Sequence, residues 1–148
     1  MSVRVTGLDD TLRRLSNLEK KAARSAIRKA VNAGGTVFTR EVRRQAKRYK
    51  RKGYLAKAIR KKVRSYKRGN AIVSITGAVV KKLPSGDNPG NYFHLMDGGT
   101  RPHMVGPRKH PGASPRWVIR KASSASETKA RTVAHQKLDD EVTKALQS

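Results

Sequence analysis

The sequence predicts an α+β protein: a long N-terminal amphipathic helix packed on a small antiparallel sheet, an irregular Pro/Gly-rich arm and a C-terminal helix. Three observations predict it. From Leu18 onward Ala22, Ala26, Ala30, Ala33, Val37, Val42, Ala46 and Tyr49 recur at spacings of three to five, near the helical period. Residues 91–103, NYFHLMDGGTRPH, alternate in the strand period and then meet a Gly-Gly pair. Pro102, Gly106, Pro107, Pro111, Gly112 and Pro115 then exclude regular structure over most of 101–115, ahead of a second helical pattern.

Taken in order, Val3 and Val5 alternate with polar residues and suggest a short edge strand closed by Gly7. Asp9 is an N-cap candidate for a turn or two carrying Leu8, Leu12 and Leu15, and Ser16 with Glu19 forms a capping-box pattern that restarts a longer helix. Gly34 and Gly35 fall inside that helix and call for a kink or close packing. Gly53 breaks it, and Tyr54, Leu55, Ala58 and Ile59 make one more helical turn. A hairpin follows, with strands at 62–66 and 71–76 around Arg68-Gly69-Asn70, which supplies turn chemistry. Residues 83–90, LPSGDNPG, read as a loop. In the strand expected at 91–103, Tyr92, His94 and Met96 share one face and Phe93, Leu95 and Asp97 the other. Gly98 and Gly99 allow a sharp bend or bulge, and Pro102 ends any ladder after Thr100 and Arg101. Trp117 anchors the arm through the apolar run Trp117-Val118-Ile119. Ser124 with Glu127 opens the C-terminal helix, whose stripe is Ala130, Ala134, Leu138, Val142 and Ala145. Asp139, Asp140 and Glu141 near its C-terminal end oppose the helix dipole and call for basic neighbours or a partner.

At 148 residues the chain suits one domain, 1–148, in four parts. These are an N-terminal strand and helices (1–52), a small sheet (53–100), an irregular arm (101–122) and a C-terminal helix (123–148). Hydrophobic content is 36% and aromatic content 5%, so the core must be built from Ala, Val and Leu. The net charge of +25, from 35 Lys and Arg against 10 acids, opposes compaction and points to a polyanion or an acidic protein neighbour. The absence of Cys excludes disulfides, thiolate nucleophiles and Cys-based zinc sites. No apolar run approaches membrane-spanning length and the first residues lack a signal-peptide core, so a soluble intracellular protein with no membrane partner is expected.

Chemistry-bearing constellations are few. His94, Asp97, His103 and His110 could be drawn as a metal set, but three-residue spacing in a strand sends His94 and Asp97 to opposite faces. There is no GxSxG, and the acids are too scattered for a metal-dependent nuclease. The expectation is therefore no enzyme, no cofactor and no metal. The Gly-Gly-Thr-Arg turn could present backbone N–H groups and Arg101 to a phosphate, although a structural bend is the simpler account. The strongest signal is the basic run over 40–68, with Tyr49, Tyr54 and Tyr66 interleaved. Its candidate contacts to nucleic acid or an acidic partner are Arg40, Arg43, Arg44, Lys47, Arg48, Lys50, Arg51, Lys52, Lys61, Lys62 and Arg64. No helix-turn-helix, zinc-finger or RNP pattern supports sequence-specific readout.

Three marks in order carry a family resemblance: Val5-Thr6-Gly7-Leu8-Asp9 before an amphipathic helix; Tyr92-Phe93-His94-Leu95-Met96-Asp97-Gly98-Gly99-Thr100 with Arg101-Pro102-His103; and Pro115-Arg116-Trp117-Val118-Ile119-Arg120 before a C-terminal helix. The chain resembles the neck (head–tail joining, tail-completion) proteins of long-tailed double-stranded DNA phages, the minor tail protein Z-like group. It departs from them in having Asp97-Gly98-Gly99-Thr100 where the family usually has Glu-x-Gly-Thr, and in its higher basicity. The resemblance implies a non-enzymatic virion protein, assembled in the host cytoplasm, that forms a hexameric or dodecameric ring at the head–tail junction. Implied partners are other neck, connector and tail-terminator proteins and the genomic double-stranded DNA. It makes Tyr92, Asp97, Gly98, Gly99, Thr100 and Pro102 a structural motif, and Trp117 and Ile119 part of an interface arm. The rival reading of the same charge is a non-specific nucleic-acid-binding protein of ribosomal or nucleoid type.

Overall fold

In the computed structural model, residues 20–49, 54–66, 71–80 and 88–147 are described. The edge strand and first helical turns expected before residue 20, the break at Gly53, the hairpin turn at 67–70 and most of the 83–90 loop lie outside them. The elements are α1 (Lys20–Lys47), α2 (Tyr54–Ala58), β1 (Ile59–Ser65), β2 (Ile72–Ala78), α3 (Pro89–Gly98), β3 (His103–Val105), β4 (Arg108–His110) and α4 (Val118–Leu146). The α+β class holds.

Two long helices form the body. On α1 the buried positions Ala26, Ala30, Gly34, Val42 and Ala46 are spaced by four or multiples of four, with Thr39 and Gln45 buried off that row. On α4, Val118, Ala122, Ser126, Leu138 and Val142 follow the same rule. Both stripes are thus i±4 ridges, the rows that interdigitate when helices pack. The helices run antiparallel. Ala26 and Ala30 meet Leu138 and Val142, while Val42 and Ala46 share a cluster with Val118 and Ala122. Gly34 lies between the two clusters, where a Cβ would fall 2.8 Å from the Ala130 carbonyl oxygen and 3.1 Å from the Ala134 methyl. The helix continues through Gly34 and Gly35, so close packing is what the pair serves.

Strands β1 and β2 pair antiparallel from Ile59↔Ala78 to Ser65↔Ile72, the hairpin expected at 62–66 and 71–76, with Ile59 in the strand and not in the preceding helical turn. Their inner face lies on α1. Thr39 and Thr76 share a hydroxyl hydrogen bond of 2.7 Å, and Lys61 Nζ donates to the Asn32 carbonyl at 2.9 Å and to the Thr36 hydroxyl. Leu55, Ala56, Ile59 and Phe93 complete the larger core cluster.

Three expectations are corrected. The strand expected at 91–103 is mostly helix α3, which also absorbs Pro89 and Gly90 from the expected loop and Tyr92 to Gly98 from the expected sheet region. Pro89 occupies the first turn, where its missing N–H costs nothing, and the i, i+3 pair Phe93 and Met96 turns toward the core. Alternation alone could not reveal that Tyr92 and Leu95 would stay exposed. The arm is not irregular throughout: β3 and β4 pair as a hairpin, His103↔His110 to Val105↔Arg108. Pro107 sits in its turn beside Gly106 (φ 59), and Pro102 and Pro111 fall just outside the rungs, so no proline blocks a strand bond. Lastly, α4 begins at Val118 instead of near Ser124. Ser124 lies inside the helix, its hydroxyl donating to the Arg120 carbonyl, and Glu127 pairs with Arg131.

Candidate interaction surfaces

The Asp97-Gly98-Gly99-Thr100 motif is the joint of the molecule. The Met96 and Asp97 carbonyls at the end of α3 accept hydrogen bonds from the Arg116 and Trp117 N–H groups, at 3.1 and 3.0 Å. The Asp97 carboxylate accepts from the Ile119 N–H at 3.1 Å. It therefore caps α4 from another element and places negative charge at that helix's N-terminus. Gly99 has φ 74, and a Cβ there would meet the Ala113 carbonyl oxygen at 2.6 Å. Thr100 and Ala113 exchange backbone hydrogen bonds of 2.9 and 3.0 Å, closing the base of the arm. The Thr100 N–H is thereby consumed within the chain and is not offered to a phosphate. Among the expected motif residues, Tyr92 and Pro102 are exposed.

The expected arm anchor is also corrected. Trp117 is 44% exposed and takes the left-handed conformation (φ 53), which turns the buried role over to Val118 at 0%. Trp117 faces an open groove of about 490 Å³ with Arg120, Lys121, Ser124 and Ala125. Arg120 stands 5.9 Å over its ring. Ile119 is partly buried against the core.

The basic run separates into inward and outward members. Arg43 donates through Nε and Nη2 to the Ile59 carbonyl at 3.1 and 2.8 Å, which ties α1 to the start of β1. Arg44 makes a bidentate pair with Glu41, 2.7 Å on each arm, and this bond holds the Glu41 carboxyl below its usual range. Lys61 points into the α1–sheet contact, where burial lowers its pKa. Arg40, Lys47 and Arg48 are exposed at or near the end of α1, and Lys62 and Arg64 are exposed on β1. Lys50, Arg51 and Lys52 fall outside the described residues. Arg60, outside the expected contact set, joins Lys62 and Arg64 on the outer face of β1, since strand period two puts all three on one side. Val73 and Ile75, half-exposed, share that face through the register Arg64↔Val73 and Lys62↔Ile75. Tyr49 is absorbed by the body, its hydroxyl accepting from Lys121 at 3.3 Å and its ring lying 5.3 Å beneath Arg116.

At the far end of α4, Glu141 bonds both Lys29 of α1 and Lys137 of its own helix. Lys29 first and Lys137 second hold its carboxyl down to about 2. The basic neighbours expected for this acidic stretch are thus supplied, for Glu141, inside the chain. Among the described residues no three His, Cys, Asp or Glu gather as a metal set. His103 and His110 face one another across the arm with ring centroids 5.0 Å apart, and Asp97 is occupied as a cap. No described helix is long and apolar enough to cross a membrane.

The profile of the HK97-gp10-like family, described as a bacteriophage HK97-gp10 tail component, matches residues 9–96. That span takes in α1, α2, β1, β2 and most of α3, and ends just before the Asp97 joint. No curated protein and no solved structure matches the chain.

Proposed function

The chain belongs to the HK97-gp10-like family of bacteriophage tail components, and on that premise we propose that it acts at the head–tail junction, as one subunit of a ring that joins tail to head around the DNA channel. As a tail component it is a structural protein of the virion, working among other phage structural proteins. The family match carries the reading; the charge supports the finer part of it. An excess of +25 is costly for a free subunit and is offset where copies surround a polyanion. The exposed cations Arg60, Lys62 and Arg64 on β1, with Arg40 and Lys47 on α1 and Arg48 just past its end, are the residues assigned to that contact. Arg43, Arg44 and Lys61 are not, because each is engaged within the chain.

The rival, a free nucleic-acid-binding protein, rests on the same charge and separates on self-assembly. Nuclease-treated protein is to be sized by light scattering in ~150 mM and ~1 M salt, conditions between which exposed charges become screened. A discrete multimer at both salts is expected, and a monomer at both, binding DNA alone, overturns the ring. Replacing Arg60, Lys62 and Arg64 together by Gln should lower the slope of log affinity for duplex DNA against log salt by about 3. An unchanged slope removes β1 from the DNA contact.

A further inference from the structure

We infer that the β3–β4 arm is an intersubunit clasp, and that it seats on the acidic C-terminal end of α4 in a second copy of this chain. The inference rests on the ring reading and names the surfaces that would build it. Every residue over 101–111 is exposed, and β3 and β4 pack on each other without making an extended contact to any helix or to the other sheet. An isolated two-stranded hairpin is marginal in water. Yet this one is built for a fixed direction: the Thr100↔Ala113 bridge closes its base, and Gly99 (φ 74) and Gly112 (φ 84) hold conformations other residues resist. At its tip Met104 is 63% exposed and Val105 56%, an apolar pair that nothing among the described residues covers.

Charge selects the occupant. Arg101, Arg108 and Lys109 make the arm cationic, so the β1 face and the Trp117 groove, both lined by Arg and Lys, repel it. Among the described residues the acids gather in one place, Asp139, Asp140 and Glu141, the last already bonded to Lys29 and Lys137, and the same end of α4 exposes Leu146 at 53%. Asp139, Thr143 and Leu146 stand at i, i+4 and i+7, on one side of the helix, and all three are exposed. An apolar tip flanked by cations thus finds an apolar residue flanked by carboxylates. A duplex would satisfy Arg108 and Lys109 but would leave Met104 and Val105 uncovered. Because arm and acidic end are different surfaces, the contact is heterologous, the kind that closes into rings when its rotation permits.

The chain has no cysteine, so introduced pairs report proximity cleanly. V105C and L146C, carried on separate copies, mixed and oxidised, should give disulfide-linked species in the full-length protein, whereas V105C mixed with a cysteine at Ser124 should not. Arg108→Glu with Lys109→Glu should dissociate the multimer, and adding Asp139→Lys with Asp140→Lys in the same chain should restore it. The arm variants should leave the thermal midpoint in place, which separates lost docking from lost folding. A multimer that persists in the arm variants, with no 105–146 link, overturns the clasp and leaves the ring standing. A wild-type chain that never multimerises overturns both. Arm variants that lose DNA binding while keeping the multimer assign the arm to nucleic acid and overturn the clasp as well.

Discussion

The α1–α4 seam and the arm over 99–113 both depend on glycine, for opposite reasons. In the seam, Gly34 is an ordinary helical residue whose missing side chain lets one helix backbone approach another. In the arm, Gly99 and Gly112 are needed for their positive φ, and they fix a direction instead of a contact. The seam is thereby stabilised by burial along two i±4 ridges, while among the described residues the arm is held at its base and exposes its apolar tip. The difference teaches that one is a device for folding and the other a device for meeting something else. Substitutions in the seam should act on stability, and those at the arm's tip on association.

The largest effect is expected at the seam. In Gly34→Leu the added side chain has nowhere to go, since even a Cβ meets the Ala130 carbonyl, which is backbone and cannot swing aside. A loss of about 3 kcal/mol is expected, on the order of 10 °C in the midpoint of a circular-dichroism melt. Gly34→Ala is the finer test. Alanine gains about 1 kcal/mol in helix propensity against an overpacking cost of about 1–3 kcal/mol, so the net should be a loss of up to about 2 kcal/mol. A stabilised Gly34→Ala would show that the helices separate easily there and that the seam is not the rigid half of the comparison.

The joint between the two regions comes next. Asp97→Ala removes the carboxylate from the Ile119 N–H and should cost about 0.5–2 kcal/mol. Asp97→Asn keeps an acceptor oxygen and should recover most of that, losing only the charge at the helix end. Hydrogen exchange at the Ile119 amide is the direct readout. Protection lost in Ala and kept in Asn fits the cap, whereas equal protection in both denies it.

How much of this was legible follows from where each signal lay along the chain. Helix α1 was visible because its buried face, Ala26 to Ala46, repeats within the helix itself. The β1–β2 hairpin was visible because Arg68-Gly69-Asn70 marks a turn between two alternating runs. Helix α3 was misread as strand because YFHLMD satisfies both periods, and only the core around Phe93 chooses between them. The start of α4 was placed late because its cap, Asp97, lies 22 residues before Ile119, where no local capping pattern could point to it. The run of cations was legible as charge, but which of them turn inward was not. Arg43 finds the Ile59 carbonyl and Lys61 finds Asn32 only once the sheet lies on α1.

The smallest effect is expected where the seam ends. Glu141 closes it by pairing with Lys29 across the helices and with Lys137 along its own, and this holds its carboxyl at about 2 against an ordinary 4.5. A carboxyl depressed on folding contributes stability that is fully present above the ordinary value and is lost as pH falls through the folded one. In Glu141→Gln the acid-induced fall in melting midpoint between pH 5 and about 2 should therefore be shallower than in wild type, and the two curves should converge near pH 2. Lys29 is 55% exposed, so the gap between the curves should also shrink in ~1 M salt. A gap that persists at pH 2 would mean that Glu141 acts by packing and not by charge. The acidic end of α4 would then hold the seam together without its carboxylate.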